Sequence, residues 1–292
     1  MLIAGTVPQE DLPLIKGTVR REGDVLKVND YALPCTQGTS AMVSAALTTT
    51  SYLGLEPPRV LLVGDIGKGK GSRELYQYLI DRITDLSPRV LALHYCLPIV
   101  RLMQKFYSSV EKCKKKPLLI ADAGSMYAAK AAGVASGFDI FTPDLSEISF
   151  LADPEAVHPA YISHHLFSND SKRIPELIKK AYSNKAAAKV LLVKGAVDYI
   201  AKSGEIIETV EEPNIPELEC IGGTGDTITG IVTALAYAEL ELEDAAIISA
   251  KANRVAGQMS KATPATKVGE VIDYLPSVFK ENICQWSGVC IR

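Results

Sequence analysis

The sequence predicts an α/β protein built on a mostly parallel sheet with helices covering both faces. Three observations predict it. Short runs rich in branched apolar residues, Arg59–Gly64, Pro117–Ala121 and Lys189–Val193 among them, are apolar on both alternating faces, as strands buried on two sides must be. Longer segments suited to helices separate them. Right-handed crossovers then bring the loops after Val63, Ala121, Phe141 and Val193 to one rim, although they lie far apart in sequence.

The elements follow in order. The opening residues give no clear pattern until Val25–Val28, a short strand before an Asn29-Asp30 turn. Ser40–Leu47 is small and apolar, which suits a closely packed helix. Pro57-Pro58 breaks the chain, the strand Arg59–Gly64 ends in a glycine-rich loop, and Arg73–Ile83 is the next helix. Arg89–Leu93, Pro117–Ala121 and Phe138–Phe141 are further strands, alternating with helices over Ile99–Lys112, over Met126–Ala132 and from Leu145 onward. After Lys189–Val193, the runs Asp198–Ala201 and Ile206–Val210 alternate like an antiparallel hairpin around Ser203-Gly204. Thr227–Ala238, Asp244–Met259 and Val268–Leu275 read as the last helices.

Composition narrows the function classes. Of 292 residues, 47% are hydrophobic and 22% charged, which excludes global disorder. Lys plus Arg number 31 against 34 Asp plus Glu, so no bulk positive field collects nucleic acid, and no nucleic-acid partner is expected. No apolar stretch is long enough for a membrane helix, and the amino terminus lacks a signal-like pattern. The expectation is a cytoplasmic protein with no membrane partner, with homo-oligomerisation left open. The six cysteines are scattered and form no zinc pattern; Cys284 and Cys290 can pair under oxidising conditions, but nothing requires it. Among the histidines, His94, His158, His164 and His165 make no metal pattern.

The sharpest local signal is Ile221-Gly222-Gly223-Thr224-Gly225-Asp226-Thr227-Ile228-Thr229-Gly230. Glycines permit close approach of a ligand, and a turn entering a helix aims unpaired N–H groups at one point, where the helix dipole also attracts an anion. A carboxylate beside a phosphate is electrostatically unfavourable, so Asp226 points to chemistry: it can accept a proton as a substrate hydroxyl attacks phosphorus. The simpler account makes Asp226 a helix cap worth about 1 kcal/mol, which leaves the flanking glycines unexplained. Thr224 can cap the helix or touch phosphate.

This motif resembles the ribokinase-like superfamily, and most closely its ATP/ADP-dependent NAD(P)H-hydrate dehydratases. Other blocks are similar in order: Gly64-Asp65-Ile66-Gly67, Leu119-Ile120-Ala121-Asp122-Ala123, Phe141-Thr142-Pro143-Asp144-Leu145-Ser146-Glu147, Val193-Lys194-Gly195-Ala196 and Pro264-Ala265-Thr266-Lys267-Val268-Gly269. They span roughly residues 60 to 275. The chain departs from the family in carrying Asp144 for the usual histidine and Ser146 for the usual glycine; in place of the early glycine-serine signature, Gln37-Gly38-Thr39-Ser40 is a distant stand-in.

The resemblance implies a ribokinase-like three-layer α/β/α sandwich, with residues 1–292 forming a single domain and 281–292 a peripheral C-terminal tail. It implies an anion hole from Gly223, Thr224, Gly225 and Asp226, with Asp226 catalytic. Lys194, Gly195, Thr224 and Gly225 would meet the nucleotide, ATP or ADP, and Asn253 would face its adenine. Gly64, Gly67, Asp122 and Asp144 would lie on the substrate side. Glu147, through water, and Asp144 would hold Mg2+. The activity implied is dehydration of NAD(P)H hydrate by phosphorylation of its hydroxyl and loss of phosphate. Two alternatives stand beside it: a ribokinase-like small-molecule hydroxyl kinase, suggested by Asp144-x-x-Glu147, and a non-catalytic protein that binds a nucleotide or metabolite.

Other candidates carry less. Gly64–Ser72 has the glycine and lysine spacing of a P-loop, but Gly71 stands where a magnesium-binding hydroxyl is required. Lys112-Cys113-Lys114-Lys115-Lys116 closes a helix, where cations suit the dipole and solvent.

Overall fold

The computed structural model describes residues 1–156 and 171–288; His158, His164, His165 and Cys290 lie outside them. Strand β1 (Leu2–Val7) is buried throughout and pairs in parallel with β5 (Arg59–Gly64) on one side and β6 (Val90–His94) on the other. Parallel pairing continues through β7 (Leu118–Asp122), β8 (Ile140–Phe141) and β9 (Val190–Val193). Antiparallel strands extend both margins: β2 (Ile15–Glu22), β3 (Val25–Val28) and β4 (Tyr31–Pro34) beyond β5, and β10 (Asp198–Lys202) and β11 (Glu205–Val210) beyond β9. The order is β11-β10-β9-β8-β7-β6-β1-β5-β2-β3-β4. The opening residues, without a clear pattern in sequence, thus form the middle of the sheet. Gly5 and Thr6 interrupt the apolar run of β1, and a glycine weakens a strand signal.

Helices cover both faces, giving the three-layer arrangement. On one face lie α1 (Thr39–Tyr52), α7 (Thr224–Tyr237), α8 (Leu242–Met259), α9 (Val268–Ile272) and α10 (Leu275–Ser287). On the other lie α2 (Lys70–Leu86), α3 (Val100–Val110), α4 (Gly124–Ala131), α5 (Leu145–Ala152) and α6 (Ile174–Ser183). Alternate strand residues feed the two cores: Ile3, Leu62, Ala92 and Ile120 face the first set, and Ala4, Val63, Leu93 and Ala121 the second. This is why the strands are apolar at consecutive positions.

The C-terminal residues differ from expectation. Positions 281 to 287 belong to α10 and bury Ile283 against the first core, so the peripheral tail does not begin at 281. Cys284 is disulfide-bonded, whereas Cys35, Cys96 and Cys113 are buried free thiols and Cys220 an exposed one. Among the described residues no helix is long and apolar enough to cross a membrane.

Helices α1 and α7 pack unusually close. A Cβ on Gly230 would sit 2.2 Å from the Met42 carbonyl oxygen and 3.0 Å from the Ala45 Cβ. At the start of α7, a Cβ on Gly223, whose φ is 99°, would come within 3.1 Å of Gln37 Cα and Ala41 Cβ. The small residues seen in sequence therefore bring two helix N-termini together. In an open helix, Gly to Ala gains about 1 kcal/mol. At Gly230 the backbone clash outweighs it: Gly230→Ala should destabilise the protein by about 1–3 kcal/mol, read as a lower urea midpoint with unchanged slope.

Candidate active site

Register in the parallel block sets a row of side chains at the carboxyl edge. Gly5 pairs with His94, His94 with Asp122, and Ala121 with Phe141, so β6, β7 and β8 end within one residue of one another, beside Gly5 of β1. Thr142 follows β8 and Lys194 follows β9. The residues immediately after His94 and Asp122, Tyr95 and Ala123, both have positive φ. Non-glycine residues in that region store strain and cluster at functional sites.

The first turn of α7 lies over this row. Thr229 Oγ1 donates to Asp122 Oδ2 at 2.6 Å, and Thr142 and Thr229 hydroxyls are 2.9 Å apart. Lys194 Nζ reaches both oxygens of Asp122, at 2.9 and 3.1 Å. Asp226 does not cap its own helix. Its Oδ2 accepts from Gly38 N at 2.7 Å, and its Oδ1 lies 3.1 Å from His94 Nε2. Gly38 precedes α1 with φ of 64°. The distant stand-in Gln37-Gly38-Thr39-Ser40 is therefore at the site: Gln37 packs on Gly222 and Gly223, and Gly38 fixes the carboxylate.

Charges in this cluster balance internally. Burial would raise the Asp122 carboxyl, but the Lys194 ammonium foremost, then His94 and the Thr229 hydroxyl, hold it well below the usual carboxylate range. Burial would lower Lys194, but Asp122 and Glu147 hold it above its usual value. His94 is fully buried; desolvation works against its charge, yet Asp122 and Asp226 push it up to about 9. His94, Asp122 and Asp226 offer ligand atoms within 4.8 Å of one another, the spacing of a metal site. Within this group Lys194 pairs with Asp122, and the two carboxylates favour the protonated form of His94.

Asp144 and Glu147 form a capping box at the start of α5. The Asp144 carboxylate accepts from Glu147 N, the Glu147 carboxylate accepts from Asp144 N, both at 2.8 Å, and Ser146 Oγ donates to Asp144 at 2.7 Å. Both line the same cavity as Asp226. Burial first, and then repulsion from Asp122 and Asp144, raises the Glu147 carboxyl well above the ordinary range.

The cavity encloses about 730 Å3. Its lining includes Asp122, Lys194, Gly225, Asp226, Asn253 and Arg254. Asn253 is buried, and its Oδ1 has no protein partner, so a polar ligand group can satisfy it. Arg254 escaped sequence reading. Its guanidinium bonds Asp198 Oδ2 at 2.8 Å and the Gly195 and Ala196 carbonyls at 2.9 Å, shaping the Lys194-Gly195 loop.

Several expected ligand contacts are already occupied. Gly195 N donates to Asp198 Oδ1. The Thr224 hydroxyl donates to the Leu218 and Ile221 carbonyls, and its N–H points to Ile221 O at 3.5 Å. Thr224 thus caps the preceding turn. The clearest anion donors are the N–H groups of Gly225 and Asp226, which the helix itself cannot pair.

Gly64 and Gly67 are not among the residues lining the cavity. A Cβ on Gly64 would meet the Gln9 carbonyl oxygen at 1.7 Å, so that glycine serves backbone packing. Asp65 gathers the Gly67, Gly69 and Ser72 N–H groups at 3.0, 2.9 and 2.8 Å, turning the glycine-rich loop in on itself. Lys68 pairs with Glu10 at the exposed surface.

The Carb_kinase family model, described as NAD(P)H-hydrate dehydratase, matches residues 88–276. The chain is 36% identical to the uncharacterized protein MJ1337 of Methanocaldococcus jannaschii over 242 residues, covering 83% of this chain and 100% of that one. It is 39% identical over 103 residues to the bifunctional NAD(P)H-hydrate repair enzyme Nnr of Hyperthermus butylicus, covering 33% of this chain and 18% of that one. The fold is shared with the ADP/ATP-dependent NAD(P)H-hydrate dehydratase of Bacillus subtilis co-crystallised with ATP/Mg2+ and soaked with CoA. The TM-score is 0.57 at 15% identity, over 96% of this chain and 91% of that one.

A raised carboxyl in the folded state costs stability once the unfolded chain begins to release that proton. The penalty from Glu147 is absent below pH 4.5, grows as pH rises, and stops growing above the folded-state value. Glu147→Gln keeps an acceptor for Asp144 N and removes the titration. Without added magnesium, its urea midpoint should match the wild type near pH 4 and exceed it increasingly as pH rises above 4.5, until the folded-state carboxyl ionises.

Proposed function

This chain belongs to the NAD(P)H-hydrate dehydratase family, and we propose that it dehydrates NAD(P)H hydrate at the expense of ATP or ADP. The observation that carries this reading is Asp226, held away from its own helix start and facing the cavity beside the free N–H groups of Gly225 and Asp226. The substrate hydroxyl gives its proton to Asp226 as its oxygen attacks the terminal phosphorus. The new O–P bond forms as the bond to the leaving nucleotide breaks. The Gly225 and Asp226 amides, with the α7 dipole, take up negative charge on the transferred group. Cleavage of the C–O bond then expels phosphate, and loss of a neighbouring proton restores the conjugated nicotinamide ring.

Asn253 would face the nucleotide base, its Oδ1 being buried without a protein partner, and the Arg254–Asp198 pair holds the Lys194-Gly195 loop. Asp144 and Glu147 would hold Mg2+, Glu147 through water. The donor set fits: these are oxygen ligands, and the mutual repulsion of Glu147, Asp144 and Asp122 is what a divalent cation relieves. Bound magnesium supplies charge neutralisation to the nucleotide phosphates.

Incubation with prepared hydrate, magnesium and either nucleotide should restore the absorbance of the reduced cofactor. Asp226→Asn should lower turnover by about 10²–10⁴-fold while leaving nucleotide affinity nearly unchanged. No turnover of either hydrate with both nucleotides would remove the assignment. A stable phosphorylated product in the mass spectrum, instead of net water loss, would make the protein a kinase.

A further inference from the structure

Thr39 decides which nitrogen of His94 carries a proton. Its Oγ1 lies 2.6 Å from the Thr6 carbonyl oxygen and 2.9 Å from His94 Nδ1. A hydroxyl has one proton, and the carbonyl can only accept. The Thr39 proton therefore goes to Thr6, and His94 Nδ1 must donate to Thr39. If the imidazole were neutral, Nε2 would then carry a lone pair. That lone pair would face Asp226 Oδ1 at 3.1 Å and Asp122 Oδ2 at 3.6 Å, on a ring that is itself fully buried. Two carboxylates against a lone pair repel, so Nε2 is protonated as well.

The contact with Asp226 is bent, a charge contact more than a linear hydrogen bond. The groups facing the ring are few. Asp122 comes from β7, Asp226 from α7 and Thr39 from α1, and the Tyr95 ring meets it edge-on with centroids 4.6 Å apart. Lys194 stands beyond Asp122. Gly5 makes the arrangement possible: a Cβ there would lie 2.8 Å from Thr39 Cγ2 and 2.7 Å from the His94 carbonyl oxygen.

We propose that His94 is a positioning residue for Asp226: a buried imidazolium, set by the Thr39–Thr6 relay, that holds one carboxylate oxygen while Gly38 N holds the other. Asp226 thereby keeps a fixed orientation, and the lone pairs that neither donor uses remain for the substrate hydroxyl. This deepens the proposed reaction and rests on it for the kinetic consequence alone; the protonation of His94 stands on geometry independent of substrate.

The test uses the full chain labelled with 15N, following the imidazole nitrogens by long-range proton correlation, with His94→Gln to assign the signal. Both ring nitrogens should show imidazolium shifts at pH 7. Asp226→Asn should lower the titration midpoint by about one unit or more, because it removes an opposite charge within contact distance. Thr39→Val should lower it too, by removing the acceptor of Nδ1–H. In the dehydration assay, His94→Gln should lose kcat on the order of 10²-fold with nucleotide affinity held. A neutral ring at pH 7, or a midpoint unmoved by Asp226→Asn, would overturn the proposal. So would magnesium displacing the ring proton in the absence of nucleotide, or an unchanged kcat in folded His94→Gln. If wild-type protein turns over no hydrate, the reaction falls, while the nitrogen shifts still decide the state of His94.

Discussion

Close approach of α1 to α7 above the carboxyl edge of the sheet is the constraint on which the site depends. Side chains larger than hydrogen at Gly223 or Gly230 would force the helices apart, and one at Gly5 would push Thr39 off the sheet. With the helices in contact, the Gly38 amide at the start of α1 reaches the Asp226 carboxylate on α7. Two positive helix ends thus meet over one acidic side chain. A carboxylate withdrawn from water needs such compensation, and here the backbone supplies part of it.

The remaining compensation comes from side chains at the ends of neighbouring strands. Lys194 and His94 flank Asp122, and His94 reaches across to Asp226. Removing a charged group from water is costly unless an opposite charge and hydrogen bonds replace the solvent. Each buried ion in this row has both. Glu147 is the exception: it faces other carboxylates, and burial favours its neutral form. The cavity thus holds carboxylates neutralised by protein cations and one, Glu147, that its surroundings keep neutral.

The part of the fold around Asn253 and Arg254 is built on a different principle. Arg254 lines the cavity, but its guanidinium is taken up by Asp198 and three backbone carbonyls. Its role is to fix the loop that carries Lys194. Neighbouring Asn253 on α8 is left with an unsatisfied oxygen. A buried acceptor without a partner is a cost to the empty protein that a polar ligand can recover.

Local pattern in the sequence determined the parallel strands from β5 to β9, the β10–β11 hairpin and the helix entered through Gly222–Asp226, and it singled out Asp122, Asp226, Lys194, Asn253 and the Asp144–Glu147 pair, all of which line one cavity. Those features rest on runs, turns and glycine placement, which neighbouring residues specify. Tertiary structure alone decided that β1 lies at the centre of the sheet, since Gly5 and Thr6 break its pattern for the sake of contacts with α1. It alone joined Gly38 to Asp226, 188 residues apart, and gave His94 two carboxylates that no spacing rule connects. It also closed the Gly64–Ser72 loop around Asp65, with neither Gly64 nor Gly67 lining the cavity. Residue type states what chemistry a side chain can offer; strand register and helix packing determine which other groups stand within reach of it.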